Sequence, residues 1–208
     1  PAPARLGGGH QSVSAAGTPP AGPTLATCSF SDSTVKLWNV ANVSLRQTLN
    51  AHIAGVQTIA VSPDGQTLLS GSDVAFGSGD PLIKLWRISD GALLKSYDTG
   101  EFQAVNSVAF SSDGSRFAAG MGFHAKIFDT ATGNELQVFD GPATTDNAIV
   151  VAGRTLIIEQ NLEGEAGMAR IDVGEDSCTR TWVAADVHAP TCVPTLSTGS
   201  GLVYAYTE

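Results

Sequence analysis

Short runs of alternating or continuous apolar residues, broken by Gly, Pro, Asn, Asp and Ser, extend along most of the chain. Alternation over so few positions is the signature of strands, and continuous runs are that of strands covered on both faces. Two stretches carry one pattern: Val56-Gln57-Thr58-Ile59-Ala60-Val61-Ser62-Pro63-Asp64-Gly65 and Val105-Asn106-Ser107-Val108-Ala109-Phe110-Ser111-Ser112-Asp113-Gly114. Each leads into a second short strand, a turn, and a Lys-aliphatic-aromatic run, Lys84-Leu85-Trp86 or Lys126-Ile127-Phe128. A third such run, Lys36-Leu37-Trp38, precedes them. The Asp-Gly pairs at 64–65 and 113–114 supply the positive φ that a tight turn between strands demands.

The pattern predicts units of four strands. The first has strands at Gln11–Ala16, Leu25–Ser29, Val35–Val40 and Leu45–Asn50. The second has them at 56–62, 67–72, 82–88 and 93–98, and the third at 105–111, 116–121, 124–129 and 135–140. A fourth unit follows at Asn147–Val151, Thr155–Gln160, Met168–Val173 and Cys178–Ala184, because Ala169-Arg170-Ile171-Asp172 lies 44 residues after Ala125-Lys126-Ile127-Phe128. Two further strands, Thr191–Leu196 and Leu202–Tyr206, give half a fifth unit. Self-similarity at about 40–45 residues signals a radial array, since one such sheet cannot bury both its faces alone. The expected fold is therefore all-β, a β-propeller-type array of four-stranded antiparallel blades. Residues 1–9, rich in Pro and Gly, read as a flexible lead-in to a single domain at 10–208, with a strongly patterned part at 10–141 and a divergent part at 142–208.

Spacing exposes one irregularity. Lys126 follows Lys84 by 42 residues but Lys84 follows Lys36 by 48. The surplus of six falls in residues 73–81, a Gly-rich insertion bearing Asp73, Phe76 and Asp80. It reads either as a contact loop or as a tolerated surface insertion.

Composition narrows the function classes. With 23 glycines and 15% charged residues, the chain suits many short strands joined by tight turns. Its net charge of −9, without a Lys/Arg cluster, disfavours nucleic acid as a partner. No apolar run approaches the ~20 residues of a membrane span, so membrane insertion is not expected. The start at Pro1 has no basic or apolar leader pattern, so no targeting segment is expected within the chain, and neither cytoplasm nor secretion is singled out. Cys28, Cys178 and Cys192 lack metal-ligand spacing; they read as buried thiols, or as one Cys178–Cys192 bridge in an oxidising compartment.

Gly9-His10, Lys-Leu-Trp twice, Ser-Pro-Asp-Gly and Ser-Gly-Ser-Asp make residues 9–141 resemble WD-repeat β-propellers. The resemblance implies a hydrogen-bonded set in each unit: a His before the first strand, a Ser/Thr in the second, an Asp in the next turn and the Trp of the third. The second unit matches with His52, Ser70, Asp80 and Trp86, and the first with His10, Thr27, Asp32 and Trp38. A buried Asp needs donors, which His, Ser/Thr and indole supply, so these residues are expected to be structural rather than catalytic. The third unit departs, with Ala119 in the Ser/Thr place and Phe128 in the Trp place. Beyond residue 142 only the strand rhythm persists, as in loosely patterned propellers of secreted bacterial proteins.

No catalytic, cofactor-binding or metal-binding residue is expected. The four histidines have no metal-ligand spacing, and the acidic residues of the fourth unit (Glu159, Glu163, Glu165, Asp172, Glu175, Asp176) lack the order of a calcium loop. Asn42-Val43-Ser44 fits a glycosylation sequon, which matters only in a secretory compartment. The expected function is a non-catalytic scaffold binding a protein or peptide on its loop face or blade edges. Two alternatives remain: a subunit that self-assembles into an oligomer or filament, and an extracytoplasmic propeller enzyme. Self-assembly draws on the last strand, Leu202-Val203-Tyr204-Ala205-Tyr206, which has no charge and no Pro to protect a free edge. A ring of seven blades would need about 290 residues, so an edge left open is expected to pair with another chain.

Overall fold

A computed structural model of the chain describes residues 13–18, 24–74, 82–97, 99, 103–121 and 124–140. Of the later residues it describes the backbone of the strands from 149 onward. The described residues hold strands and no helix. The first sheet runs β1 (Ala15–Gly17), β2 (Thr24–Cys28), β3 (Thr34–Asn39), β4 (Ser44–Asn50), and the second β5 (Val56–Val61), β6 (Thr67–Ser72), β7 (Ile83–Arg87), β8 (Leu93–Tyr97). The third comprises β9 (Val105–Phe110), β10 (Arg116–Met121), β11 (His124–Asp129) and β12 (Glu135–Asp140). The fourth comprises β13 (Ile149–Ala152), β14 (Thr155–Leu162), β15 (Glu165–Val173) and β16 (Cys178–Ala184). Each is an antiparallel meander in chain order, as the repeat requires.

In the first three units the strands begin and end within about a residue of the pattern's limits, except the first. That strand starts at Ala15 rather than Gln11, residues 11 and 12 lying outside the described ones; the Ser14 N–H still bonds Cys28 O (2.9 Å). In the fourth unit β14 and β15 are longer than expected, because their pairing continues from Thr155↔Asp172 to Leu162↔Glu165. Of the last two expected strands, β17 (Pro194–Thr195) and β18 (Val203–Tyr204) are described and pair with each other, and the rest of both lies outside the described residues. Apolar content alone did not fix the length of β14 and β15, since a strand extends only as far as its partner follows.

The core lies between the sheets. On β6 and β7, Leu68 and Trp86 pack with Ala26, Cys28, Val35, Leu37 and Leu49 of the first unit. Their neighbours Leu69 and Leu85 pack with Val108, Phe110, Phe117 and Phe128 of the third. Adjacent residues on one strand thus serve opposite interfaces, as period two dictates. Gly71 permits a close approach of the second and third sheets: a Cβ there would lie 2.6 Å from Val105 Cγ1. The third sheet's other face meets the fourth, whose β13 lies beside β9 and β10.

Recurrent turns hold the ends. Between β5 and β6 the Ser62 hydroxyl donates to Asp64 Oδ1 (2.6 Å), the Gly65 N–H donates to Ser62 O (2.9 Å), and Gly65 takes φ 70°. Ser111, Asp113 and Gly114 (φ 72°) repeat this between β9 and β10. Between third and fourth strands, Gly91 (φ 69°) and Gly133 (φ 78°) are the left-handed residues. Each lies under a side chain of the preceding unit's outer strand. Gln47 Nε2 reaches Asp90 O (2.8 Å), and Lys95 Nζ reaches Ala131 O (2.7 Å). Tyr97 adds a bond from its hydroxyl to Thr130 O (2.9 Å), and burial, with the nearby Asp129 charge, pushes its pKa up to about 12, so it stays a donor.

The first unit breaks the rule. The place of Gly91 and Gly133 is taken by Val43, at φ 56°. A β-branched residue there is strained, because its Cβ crowds the following carbonyl. Val43→Gly is expected to stabilise the protein by about 0.5–1 kcal/mol, the relieved strain exceeding the entropy glycine adds to the unfolded chain. Gly91→Val should destabilise by more than about 2 kcal/mol, adding a collision with Gln47 to the same strain. Urea melts of the two variants check this; a destabilised Val43→Gly would refute the strain argument.

Candidate functional site

Ser70 sits at the centre of a buried polar chain. Its Oγ accepts from Trp86 Nε1 (2.9 Å) and lies 2.8 Å from His52 Nε2. Ser70 is fully buried, and the two rings are nearly so. Ser70 and Trp86 meet because Leu68, Ser70 and Trp86 share the face of β6 and β7 turned to the first unit, while His52 arrives on the β4–β5 connection. The hydroxyl can accept from both rings, or accept from the indole and donate to the imidazole, so no charge is needed. In the first unit Trp38 Nε1 donates to Thr27 Oγ1 (2.8 Å). Asp32 lies in the β2–β3 turn, where Oδ1 accepts from the Thr34 N–H (3.1 Å) and hydroxyl (2.6 Å) and Oδ2 is 3.7 Å from Lys36 Nζ. His10, Phe76 and Asp80 lie outside the described residues.

The third unit replaces the whole set. Ala119 and Phe128 are buried in the places of Ser70 and Trp86. Phe117 stacks on Phe128 (centroids 5.0 Å apart) and meets Tyr97 edge-on (4.7 Å). Such pairs are worth about 0.5–1.5 kcal/mol beyond their buried area, and removing every polar member together leaves no orphaned donor.

One end of the sheets carries exposed apolar residues. Phe30, in the β2–β3 turn, is 47% exposed; Ile53, in the β4–β5 connection, is 66% exposed; Val13, before β1, is 59% exposed. Backbone bonds bring these segments together. The Phe30 N–H donates to Ser14 Oγ (2.8 Å) and the Val56 N–H to Ser29 O (3.2 Å). Farther along, the Asp73 N–H donates to Gly55 O (2.9 Å), tying in the base of the 73–81 insertion. Gly55 is required here, since a Cβ would collide with the Phe30 ring. Two lysines brace the same end: Lys84 Nζ donates to Ala51 O (2.9 Å) and Lys126 Nζ to Thr99 O (2.8 Å). Lys126 also pairs with Glu135 (3.0 Å). The lysines' role was foreshadowed only by their recurrence two positions before each aromatic. Phe30 and Ile53 had a fainter signal, large apolar residues inside otherwise small or polar turns.

The opposite end is different in kind. Its turns carry Asp64, Asp90 and Asp113, all with pKa values lowered by hydrogen bonds within their own turns. The Ser111 hydroxyl and then the Ser115 N–H hold Asp113 at about 2. A folded value below the ordinary one means that the contribution is present at neutral pH and fades as acidification nears the folded value. Of the proposed edge strand, Val203 and Tyr204 form β18; Leu202, Ala205 and Tyr206 lie outside the described residues. Among the described residues no three His, Cys, Asp or Glu side chains converge as metal ligands.

A family model described as WD domain, G-beta repeat (WD40) matches residues 4–39, 43–87 and 91–129. The chain is 34% identical over 110 residues to small ribosomal subunit protein RACK1y of Oryza sativa subsp. japonica, covering 53% of this chain and 30% of that protein. It is 31% identical over 109 residues to small ribosomal subunit protein RACK1 of Drosophila melanogaster (52% and 31%). It is 30% identical over 124 residues to cross-pathway control WD-repeat protein 2 of Flammulina velutipes (60% and 36%). The chain thus spans about a third of the length of these curated relatives.

The two kinds of interface make opposite substitutions costly. Ser70→Ala should cost about 1–3 kcal/mol by leaving the Trp86 N–H without its acceptor and removing a hydrogen bond from the His52 ring, and His52→Ala a similar amount. Ala119→Ser should also destabilise, by about 1–3 kcal/mol, because its hydroxyl enters an apolar cluster. Chemical denaturation measures all three. Loss of less than about 0.5 kcal/mol in both Ser70→Ala and His52→Ala would deny the polar chain a structural role.

Proposed function

The chain belongs to the WD domain, G-beta repeat family, and from that premise we propose that it is a non-catalytic interaction scaffold. It binds a protein or peptide on the end of the sheets that carries Phe30 and Ile53. We take residues 10–208, behind the lead-in at 1–9, as the single domain that presents this surface. The polar chains around Ser70 and Thr27 are, in this reading, structural supports for it.

The exposure of Phe30 and Ile53 on segments held by backbone hydrogen bonds carries the reading. Large apolar side chains left in water cost solvation free energy, and held rigid they present contact area with little left to order on binding. The 73–81 insertion, anchored at Asp73 to Gly55 O, extends the same surface in the proposal and makes Phe76 a candidate contact.

Self-assembly has a separate observation in its favour. The outermost strands expose Leu45, Leu93, Leu94, Leu136 and Val138. A strand edge flanked by such residues invites pairing with another copy.

A photo-reactive phenylalanine analogue placed at position 30 is expected to cross-link a distinct partner protein from extract, whereas the same probe at Gln66, on the opposite end, should not. The partner, purified, should then bind the wild-type chain and lose affinity about tenfold for Phe30→Ser. Cross-linking confined to Gln66, or to further copies of the chain, would sink the loop-end reading.

A further inference from the structure

The outer edge of the third sheet differs from those of the first two. Each sheet ends on its fourth strand, and among the described residues β12 pairs with β11 alone, so one row of its backbone N–H and C=O groups is left over. Natural edges are guarded by charged side chains or proline, because pairing with another strand would desolvate the charge. On β8 the guard is Lys95, at mid-strand, and on β4 it is Arg46. The charge-free stretch of β4 beyond Arg46 offers no apolar contact, since Leu49 is buried and Gln47 is bonded to Asp90 O. On β12 the charges stand only at the ends, Glu135 and Asp140, and Glu135 is drawn aside onto Lys126 (3.0 Å). Between them Leu136-Gln137-Val138-Phe139 holds no charge and no proline, and Leu136 and Val138 are 48% and 39% exposed. Both lie on the face turned to the second unit, because Val138 is opposite Lys126, which reaches Thr99 O.

The geometry points to β12 as the strand through which two copies of the chain associate, antiparallel, about a twofold axis at Gln137. The inference rests on the self-assembly reading above and names its strand and register; it is independent of the loop end. With Gln137 opposite its own copy, Leu136 falls opposite Val138 of the second copy, and Val138 opposite Leu136. Period two then keeps both apolar pairs on one face of the joined sheet. The Gln137 amide both donates and accepts, so the two copies can bond each other across the axis. No acid meets an acid: Glu135 falls opposite Phe139, and Asp140 opposite Asn134. A foreign strand could satisfy the same backbone groups, but Leu-Gln-Val has the order apolar, polar, apolar in both directions and so fits its own copy. Each copy carries a net charge of −9, so long-range repulsion opposes the pair, and the association is expected to tighten as salt rises.

Sedimentation equilibrium of the chain over a range of concentrations is the test. Wild type is expected to pass from monomer to dimer mass as concentration rises, and to do so earlier in higher salt. Leu136→Lys and Val138→Glu should each weaken the dimer about tenfold, since each sets a charge against an apolar side chain at both pairs. An equimolar mixture of the two variants should associate more tightly than either alone. In the mixed pair one Lys meets one Glu, and the other pair stays apolar. Both residues are exposed, and the reverse pair, Leu136→Glu with Val138→Lys, serves if either variant fails to melt cooperatively. Phe30→Ser should leave the dimer unchanged, which separates this outcome from that at the loop end. A dimer indifferent to the β12 substitutions, a mixture no tighter than its components, or a dimer lost with Phe30→Ser would overturn the β12 register and leave self-assembly standing. A chain that stays monomeric at every concentration would overturn both.

Discussion

Everything else in this structure depends on sheets that cannot bury themselves. A four-stranded antiparallel sheet of five- and six-residue strands has two faces and almost no thickness, so each face must find another sheet. The second unit shows the solution at single-residue resolution. Leu68 and Trp86 belong to the interface with the first unit, and Leu69 and Leu85 to that with the third. Neither face could be made polar without opening an interface, which is why the strands read as nearly continuous apolar runs.

Given that constraint, two chemistries fill the same space. Between the first two units a serine, a tryptophan and a histidine exchange hydrogen bonds, and between the next two a phenylalanine stacks on a phenylalanine. The first supplies partners for its buried polar groups, and the second puts alanine and phenylalanine where those polar groups would stand. The stack then fixes the connections. Lys84 and Lys126 hold carbonyls at one end, while Gln47 and Lys95 reach across to the next unit's turn at the other. A surface built this way is rigid before any partner arrives, and rigidity at low ordering cost is what a docking surface needs.

How legible this was varies with the physics involved. The unit length, the all-β class and most strand limits followed from alternation and from Asp-Gly turns, because a two-residue period and a positive φ leave marks in sequence. The grouping of His52, Ser70 and Trp86 was visible through their spacing in a resembling family. Less visible were features that depend on what lies opposite in space. The extra length of β14 and β15 comes from pairing between Asn161 and Ala166 and between Leu162 and Glu165. The strain at Val43 shows only when its turn is laid beside those of Gly91 and Gly133. The exposed pair Phe30 and Ile53 lies on two segments that only the tertiary fold brings together.

The central claim is that each unit is stable only through its neighbours. Native-state hydrogen exchange in a Phe117→Leu variant tests it most directly, since Phe117 belongs to the third unit but packs on Tyr97 of the second. The account predicts that the amides of β6 and β7 lose protection together with those of β10 and β11, by similar free energies. Loss confined to β10 and β11, with β6 and β7 unchanged, would show that the units stand alone and would contradict it.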